Sequence, residues 1–302
     1  MSLLEKRKKL NMLYYQQKGH SKFFSFILST IPKNKLYLPC LEISLTTYCT
    51  LCCEKCANLI QYYEKPYHVN GNKVIDDIKM LASTVDVIGC LRLVGGEPLL
   101  WPEISKLLDV TNNISNIYNV IIVTNGTLPL TDDVVEKLKK NKKNKISISN
   151  YKEKSKSLKI LIGQLNKAKI NFSVNEVIWK DKSDISYRGK SRYKLCNTYK
   201  KCPNKFFSVL NGEIHMCPRS SHGTDLGAVK KRKCDYINIS DFYGNFKELR
   251  KKIISLINTD YIEACNYCSE DIADQIPIVE TAKQCKREYS RKIFLDMTRK
   301  DD

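Results

Sequence analysis

The sequence contains no apolar run that approaches the roughly 20 residues needed to cross a membrane as a helix. It also lacks a convincing secretory signal, because the apolar stretch near the N-terminus is short and has no A-x-A-like cleavage site after it. Acidic residues are scarce, since 32 Asp and Glu accompany 51 Lys and Arg and leave a formal net charge of +19. These absences exclude a membrane-spanning helix and predict a cytoplasmic protein with a strongly basic surface.

Thirteen cysteines are the unusual feature of this chain of 302 residues. An odd number cannot be paired completely in intramolecular disulfides, and the missing secretory signal argues against an oxidising compartment. Cysteines in a reducing compartment more often bind metal or take part in chemistry. The rest of the composition is ordinary, since 42% hydrophobic and 27% charged residues suit a folded chain with a sizeable core. We therefore expect metal-binding or reactive cysteines in a folded protein.

Short β-rich runs alternate with helix-like stretches from residue 37 onward. This alternation predicts an α/β fold with a parallel sheet that is open or forms a partial barrel. In such folds ligands bind at the carboxyl ends of the strands. The basic and apolar residues of segment 1–36, which precedes these runs, predict a basic helical extension. This extension would pack on the rest of the chain or touch a membrane surface. The predicted strands are 36–45, 87–94, 120–123, 145–149 and 170–177, and the predicted helices are 74–85, 104–110, 131–139 and 155–167.

The first predicted strand is followed by three cysteines in a C-x3-C-x2-C spacing, Cys49, Cys53 and Cys56. Three thiolates this close together suit an iron–sulfur cluster that keeps one iron free of protein ligands. Zinc is the alternative, although it usually takes four protein ligands from paired C-x2-C knuckles. We predict no role for Cys52, which lies between them.

With this loop the chain resembles the radical S-adenosylmethionine (SAM) superfamily, whose motifs follow in order between residues 36 and 180. Gly95-Gly96-Glu97, after the second strand, resembles the GGE motif that contacts the methionine amino group of SAM. Thr124-Asn125-Gly126 and Ser147-Ile148-Ser149 resemble positions that reach the ribose and the carboxylate of SAM. The resemblance thus implies a SAM site formed by Gly95, Gly96, Glu97, Thr124, Asn125, Ser147 and Ser149.

The resemblance also implies a reaction. Cys49, Cys53 and Cys56 would hold a [4Fe–4S] cluster that donates an electron to SAM and yields a 5′-deoxyadenosyl radical. That radical would abstract a hydrogen atom from the substrate, and an electron donor such as flavodoxin or ferredoxin would reduce the cluster. Lys55 departs from the family, in which an aromatic residue near the adenine often precedes the third cysteine. We therefore assign the adenine contact to Tyr48 or to backbone groups.

A second group of cysteines follows the predicted barrel. Asn211-Gly212 is a strong two-residue turn signal, which predicts a β-hairpin between residues 202 and 217. Thiolates from a hairpin and a later C-x2-C pair would suit a fully ligated cluster or a zinc ribbon. The four thiolates are those of Cys202, Cys217, Cys265 and Cys268.

The region from about 195 to 270 resembles the twitch domain, a shortened relative of the SPASM domain that holds one auxiliary [4Fe–4S] cluster. The resemblance implies that the four cysteines are its ligands, with Cys196 able to replace Cys202. If Cys196 is not a ligand, it would donate a hydrogen atom to a substrate radical, as in epimerases of the superfamily, or be an ordinary apolar cysteine. We assign no role to Cys40, Cys90, Cys234 or Cys285.

These predictions give a fold of the α/β class, a partial (β/α)6 TIM-like barrel with a small C-terminal α+β auxiliary-cluster domain. The expected divisions are an N-terminal extension at 1–36, the barrel at 37–190, the auxiliary-cluster domain at 191–285 and a tail at 286–302. The extension is too short for a separate leader-peptide-binding domain, so a small molecule is favoured over a peptide as the substrate.

The predicted function is an oxidoreductase or isomerase that acts on a small polar substrate such as a sugar, polyol or aminocyclitol. Oxidation, epimerisation and rearrangement all remain open as outcomes. The net charge of +19 favours an anionic, phosphorylated or nucleotide-linked molecule, whereas no motif indicates nucleic-acid binding. The alternatives are a peptide-modifying radical SAM enzyme and a non-catalytic module that binds iron–sulfur or zinc.

Overall fold

The computed structural model describes residues 35–181, 184–202, 206–269 and 277–286. Nearly all of the predicted N-terminal extension and C-terminal tail lie outside the described residues. Within these ranges, no helix has both the length and the apolar character that a membrane crossing requires.

Strands and helices alternate along the chain, as the sequence predicts. The strands are β1 (Tyr37–Leu38), β2 (Leu41–Ser44), β3 (Val87–Ile88), β4 (Leu91–Val94), β5 (Val120–Thr124), β6 (Asn144–Asn150), β7 (Asn171–Glu176), β8 (Trp179–Lys180), β9 (Phe207–Leu210), β10 (Glu213–His215), β11 (Tyr236–Asn238) and β12 (Ile278–Val279). The α-helices are α1 (Gly71–Thr84), α2 (Ile104–Asn112), α3 (Asp132–Lys139), α4 (Leu158–Lys167), α5 (Arg192–Lys201), α6 (Pro218–Asp225) and α7 (Phe246–Ile257). Short 3-10 turns lie at Ile60–Tyr62, Pro98–Leu100, Lys152–Lys154, Ile239–Phe242 and Glu263–Tyr267.

The centre of the fold is a sheet of eight strands in the order β11-β10-β9-β2-β4-β5-β6-β7. The neighbours from β9 to β7 all pair in parallel, and β10 and β11 pair in antiparallel fashion. The sheet is open in the residues described, with β11 and β7 at its two ends. The predicted α/β class with a mostly parallel sheet is confirmed, and the loops after β2, β4, β5 and β6 lie at the same edge.

Local sequence signals explain why the elements begin where they do. The side chain of Asn70 accepts a hydrogen bond from the Lys73 amide at 3.0 Å and caps α1. Thr131 caps α3 in the same way through the Val134 amide at 3.4 Å, with acidic residues in the first turn, as predicted. The apolar faces of α1 and α2 pack on the parallel strands in one buried core.

Two predicted strands are each divided in the structure. The run 36–45 forms β1 and β2, and Pro39 between them has no N–H to give to a sheet ladder. The run 87–94 forms β3 and β4, and β3 pairs with β1 in a separate two-stranded sheet. Both interruptions lie near the amino ends of the barrel strands. They therefore do not alter the carboxyl edge of the sheet, where ligands are expected to bind.

The predicted hairpin is present, and it extends the central sheet. Asn211 and Gly212 both have positive φ angles, 48° and 81°, as a tight two-residue turn between β9 and β10 requires. β9 pairs in parallel with β2. The hairpin predicted for the C-terminal domain is therefore hydrogen-bonded directly to the first strand of the barrel, although the domain boundaries themselves stay a prediction.

A buried histidine joins α6 to the loop after β2. His222 Nε2 lies 3.2 Å from Ser44 Oγ, and His222 Nδ1 lies 3.0 Å from Tyr63 Oη. Asp225 accepts hydrogen bonds from the hydroxyls of Tyr63 and Tyr67 at 2.9 and 2.8 Å. Because the Tyr63 hydroxyl donates to Asp225, Nδ1 of His222 must carry the proton, and Nε2 accepts from Ser44.

This environment predicts acid destabilisation that depends on His222. Burial lowers the pKa of His222 to about 3, whereas an unfolded histidine titrates near about 6.5. As the pH falls, His222 therefore binds a proton at a higher pH in the unfolded chain than in the folded chain. The stability that is present above about pH 6.5 is lost as the pH falls toward about 3. We expect His222→Gln to lower stability at neutral pH and to flatten the dependence of unfolding free energy on pH, measured by urea denaturation between pH 4 and 8.

His68, which is exposed, provides the matched control, and His68→Gln should retain most of the wild-type slope. A smaller slope will remain in His222→Gln because burial also lowers the pKa of His215. An unchanged slope in His222→Gln would show that His222 does not dominate the acid response.

Candidate active site

The cysteine loop begins directly after β2 and is fixed by the segment that follows it. The Thr47 amide donates to the Tyr67 carbonyl at 2.9 Å, and the Tyr48 amide donates to Thr46 Oγ1 at 3.0 Å. The Cys56 amide donates to the Cys53 carbonyl at 3.3 Å, which turns the loop back on itself. The loop therefore brings the C-x3-C-x2-C thiols together at the carboxyl edge of the sheet.

Cys53 is buried and Cys49 and Cys56 are half-buried, and the three thiols of this loop influence one another. Burial raises the pKa of Cys49 and of Cys53 to about 12, and a neighbouring negative charge on Cys56 adds to both shifts. Burial also raises the pKa of Cys56. Because their pKa values are raised, the three thiols would be neutral without a metal. A metal cation that replaces their protons would stabilise the thiolates, which water solvates poorly in this loop.

Amide donors surround the sulfurs of this loop. Cys49 Sγ accepts from the Leu51 amide at 3.4 Å and from Asn125 Nδ2 at 3.6 Å. Cys53 Sγ accepts from Gln284 Nε2 at 3.2 Å. Backbone amides of residues 58–60 lower the pKa of Cys56 against the effect of burial. Thiols with amide donors fit an iron–sulfur cluster, whose properties depend on such hydrogen bonds.

The thiols do not converge on a single point. In the described part of the chain, no group of three or more His, Cys, Asp or Glu side chains is arranged to hold one metal ion. A mononuclear zinc site needs that convergence, whereas in a four-iron cluster each thiolate binds a different iron. The choice of a cluster over zinc at Cys49, Cys53 and Cys56 stays a prediction.

Gly95 and Gly96 allow the loop after β4 to contact the cysteine loop. The Gly96 amide donates to the Thr46 carbonyl at 2.8 Å. A Cβ atom on Gly96 would lie 2.1 Å from the Tyr48 carbonyl oxygen, and one on Gly95 would lie 2.4 Å from the Thr46 oxygen. The resemblance implies that these two glycines belong to the SAM site. The structure shows a close approach to the cysteine loop, and SAM contact by the two glycines stays a prediction.

Glu97 links three loops from a fully buried position, with 0% of its surface exposed. Its carboxylate accepts hydrogen bonds from the Leu99 amide at 3.1 Å and from the Asn125 amide at 2.8 Å, and its own amide donates to the Tyr48 carbonyl at 2.8 Å. Burial raises the pKa of Glu97 to about 7. Glu97 therefore holds the loops after β2, β4 and β5 together, and its contact with the SAM amino group stays a prediction.

The turn after β5 places an amide beside the cysteine loop. Asn125 Nδ2, which contacts Cys49, also donates to Thr50 Oγ1 at 3.1 Å. Asn125 Oδ1 accepts from the Thr127 amide at 3.0 Å, and Thr124 Oγ1 accepts from the Gly126 amide at 3.2 Å. The structure thus brings Asn125 to the cysteines, while Thr124 is buried in the turn beneath them.

The two predicted serines lie on β6, one strand further along. Ser147 Oγ accepts from Asn175 Nδ2 at 3.1 Å, and the Ser149 side chain hydrogen-bonds Tyr151. Burial, and then the negative charge of the three loop cysteines, raises the pKa of Tyr151, so its phenol lies close to them. Tyr151 also packs edge-on against Trp179, with ring centroids 5.8 Å apart. SAM binding by Ser147 and Ser149 stays a prediction, and sequence reasoning missed Trp179.

Lys55, which stands where many members of the family have an aromatic residue, forms an ion pair in this structure. Lys55 Nζ forms an ion pair with Asp181 at 3.0 Å, so this side chain is directed to the segment after β8. Tyr48, the alternative adenine contact, is 39% exposed and its ring lies 4.7 Å from that of His68. The adenine contact of Tyr48 stays a prediction.

The later cysteines also come together, around Tyr199 of α5. Burial, and then the negative charge of Cys265, Cys217 and Cys202, raises the pKa of Tyr199. Cys217 and Cys268 in turn raise the pKa of Cys265, after burial. The Cys217 sulfur accepts from the Ser220 amide at 3.3 Å at the beginning of α6. The negative charges of Cys202, Cys217 and Cys265 act on the same phenol and that of Cys268 acts on Cys265, so the four predicted auxiliary ligands lie in one region of the fold; the choice of Cys202 over Cys196 stays a prediction.

This arrangement predicts different effects for two cysteines at the same helix. Cys202→Ala should lose the auxiliary cluster, so iron should fall from about eight to about four atoms per chain. Cys196→Ala should keep about eight, because Cys202 still provides the fourth thiolate. Iron and sulfide are measured after anaerobic reconstitution. The reverse pattern would identify Cys196 as the ligand and leave Cys202 without this role.

Part of this chain is similar in sequence to a known protein family and to curated enzymes. Residues 43–149 match the model of the radical SAM superfamily. A GTP 3′,8-cyclase of Clostridium acetobutylicum is 35% identical over 122 residues, which are 39% of this chain and 36% of that enzyme. A GTP 3′,8-cyclase of Clostridium botulinum is 32% identical over 111 residues, 36% of this chain and 34% of that enzyme. The chain therefore spans about a third of the length of these curated relatives.

Solved structures extend the similarity in fold beyond the matched domain. The chain of polyhistidine-tagged anSMEcpe with bound AdoMet has a TM-score of 0.50 and 15% identity, and the match covers 88% of this chain and 94% of that one. At this identity the likeness concerns the fold alone. It agrees with the open, mostly parallel sheet described above.

Proposed function

We propose that this chain, whose residues 43–149 match the radical SAM superfamily, is a radical SAM enzyme that abstracts hydrogen from a small polar substrate. The observation that supports the site is the group of thiols of Cys49, Cys53 and Cys56 beside the buried Glu97, with the pKa of each thiol raised by desolvation. All of them lie on loops at the carboxyl edge of the parallel sheet, where α/β folds bind ligands.

The residues of this edge have separate tasks in the proposed reaction. Cys49, Cys53 and Cys56 would hold the [4Fe–4S] cluster, which when bound supplies the electron that cleaves SAM. Glu97 provides a buried carboxylate for the SAM ammonium, and Gly95 and Gly96 keep its loop against the cysteines. Flavodoxin or ferredoxin would be the electron donor.

A second cluster is proposed at Cys202, Cys217, Cys265 and Cys268. Their proximity around Tyr199 supports this assignment. An auxiliary cluster there could accept an electron from a substrate radical during oxidation, or accompany epimerisation with Cys196 as hydrogen donor. Cys196 is half-buried on α5, six residues before Cys202, which is about 9 Å along the helix axis.

The proposed substrate is a phosphorylated or nucleotide-linked sugar, polyol or aminocyclitol. The net charge of +19 favours an anionic molecule. The relatives named GTP 3′,8-cyclase act, by that name, on a nucleotide. Oxidation, epimerisation and rearrangement of such a molecule are the reaction outcomes consistent with the site.

The proposal is tested by adding substrates to the anaerobically reconstituted enzyme with SAM and reductant. The panel contains free sugars and aminocyclitols, sugar phosphates, nucleotide sugars, GTP and peptides, each deuterated at carbon where available. We expect an anionic carbohydrate or nucleotide to stimulate formation of 5′-deoxyadenosine and to transfer deuterium into it. Stimulation by peptides alone would favour the peptide-modifying alternative. Stoichiometric zinc without SAM cleavage would instead identify a non-catalytic module.

A further inference from the structure

A segment near the C-terminus lies over the cysteine loop; we call residues 277–286 the strap. Its strand β12 pairs with β8 in antiparallel fashion, and Thr281 Oγ1 donates to the Val177 carbonyl at 2.8 Å. The Glu54 amide donates to the Lys283 carbonyl at 2.9 Å, and the Cys285 amide donates to the Cys52 carbonyl at 2.7 Å. The strap is therefore hydrogen-bonded to the cysteine loop on both sides of Cys53.

Gln284 occupies the centre of this contact, opposite Cys53 in an antiparallel bridge. Its Oε1 accepts from the Cys52 amide at 2.8 Å, and its Nε2 donates to Cys53 Sγ at 3.2 Å. Nε2 also donates to the Ala282 carbonyl at 2.7 Å within the strap. These three bonds fix the amide plane, so the N–H group is directed at the sulfur by the surrounding backbone.

We propose that Gln284 is a positioning residue for the cluster that binds SAM. Its amide holds the Cys53 sulfur and stabilises the negative charge on it, and this charge is larger when the cluster is reduced. The hydrogen bond should therefore raise the reduction potential of that cluster and make its reduction by the electron donor easier. This inference rests on the proposed function, since it takes Cys53 as a cluster ligand.

A neighbouring pair of cysteines reports whether the strap is in place. Cys52 Sγ lies 3.1 Å from Cys285 Sγ, and both residues are half-buried. Neither is a proposed cluster ligand. Glutathione disulfide should therefore oxidise the two thiols to a disulfide and release two molecules of glutathione, through thiol–disulfide exchange. The yield of this cross-link, mapped by mass spectrometry, measures the docking of the strap independently of the cluster.

The test compares variants of the full chain that have been reconstituted anaerobically with both clusters. Gln284→Met keeps the length of the side chain and removes the donor without adding charge. Gln284→Glu keeps the acceptor for the Cys52 amide but loses the donor and adds a negative charge. Thr281→Ala is the control, because it removes a strap hydrogen bond that does not involve sulfur. Redox titration is followed by electron paramagnetic resonance, and the relevant signal is the one that changes when SAM is added.

We expect the midpoint of this signal to move to a more negative potential in Gln284→Met and further in Gln284→Glu, with the Cys52–Cys285 cross-link formed as in the wild type. Thr281→Ala and the auxiliary signal should keep their wild-type midpoints. An unchanged midpoint in Gln284→Met would overturn the inference. A shift in both variants together with loss of the cross-link would overturn it too, and would assign the effect to strap docking. Absence of any SAM-responsive signal in the wild type would instead contradict the proposed function.

Discussion

Replacing Cys49, Cys53 and Cys56 together by alanine is expected to abolish reductive cleavage of SAM. The three thiols are the proposed ligands of the cluster that delivers the electron, so the triple variant removes every protein ligand of that cluster. Iron should fall from about eight to about four atoms per chain, because the later cysteines would keep their own cluster. Iron, acid-labile sulfide and 5′-deoxyadenosine are measured on the same anaerobic preparation.

The control for this variant is Cys234→Ala, which removes an exposed cysteine with no proposed role. It should keep the full iron content and the wild-type rate of SAM cleavage. If the triple variant instead retained about eight irons, the loop would not hold a four-iron cluster. If it lost all iron, the later cysteines would depend on the first cluster rather than form an independent site.

The features that the sequence predicts correctly are those determined by neighbouring residues. The C-x3-C-x2-C spacing places three thiols on one loop, and Asn211-Gly212 permits the positive φ angles of a tight turn. Thr131 caps α3 because its side chain needs only the amide three residues later. The parallel sheet could be predicted as well, because β-rich runs alternate with helical runs along the chain.

The features that the sequence could not predict depend on residues far apart in the chain. Gln284 contacts a sulfur 231 positions earlier, and no spacing or periodicity connects the two. Cys285 and Cys52 were assigned no role for the same reason, although their sulfurs lie 3.1 Å apart. The pairing of β9 with β2 was missed because the hairpin signal determines how β9 meets β10, not which other strand β9 joins.

The site is therefore held by contacts between loops as much as by the motif itself. Glu97 illustrates this, since its carboxylate accepts backbone amides from the loops after β4 and β5 while its own amide contacts the loop after β2. A motif comparison predicts a ligand contact for Glu97 but not this connecting role. The same reasoning applies to the glycine beside it, where packing leaves no room for a side chain.

Gly96→Ala is expected to displace the cysteine loop and to lose most of the SAM-binding cluster. The new Cβ would lie 2.1 Å from the Tyr48 carbonyl oxygen and 2.9 Å from Cys49 Cβ, and the first of these is a backbone atom that no rotamer change can move. Overpacking of this kind costs about 1–3 kcal/mol, and relief requires the loop to shift. Iron should fall from about eight toward about four atoms per chain, with a matching loss of 5′-deoxyadenosine formation.

The matched control is Gly163→Ala on the exposed side of α4, where a Cβ would meet nothing within 4 Å. Alanine there should stabilise the helix by about 1 kcal/mol and leave iron content and SAM cleavage unchanged. Circular dichroism and the auxiliary cluster signal separate a local shift of the loop from general unfolding in Gly96→Ala. Full iron content and wild-type SAM cleavage in Gly96→Ala would show that the loops after β2 and β4 can separate without harm, and that their close contact does not position the cluster ligands.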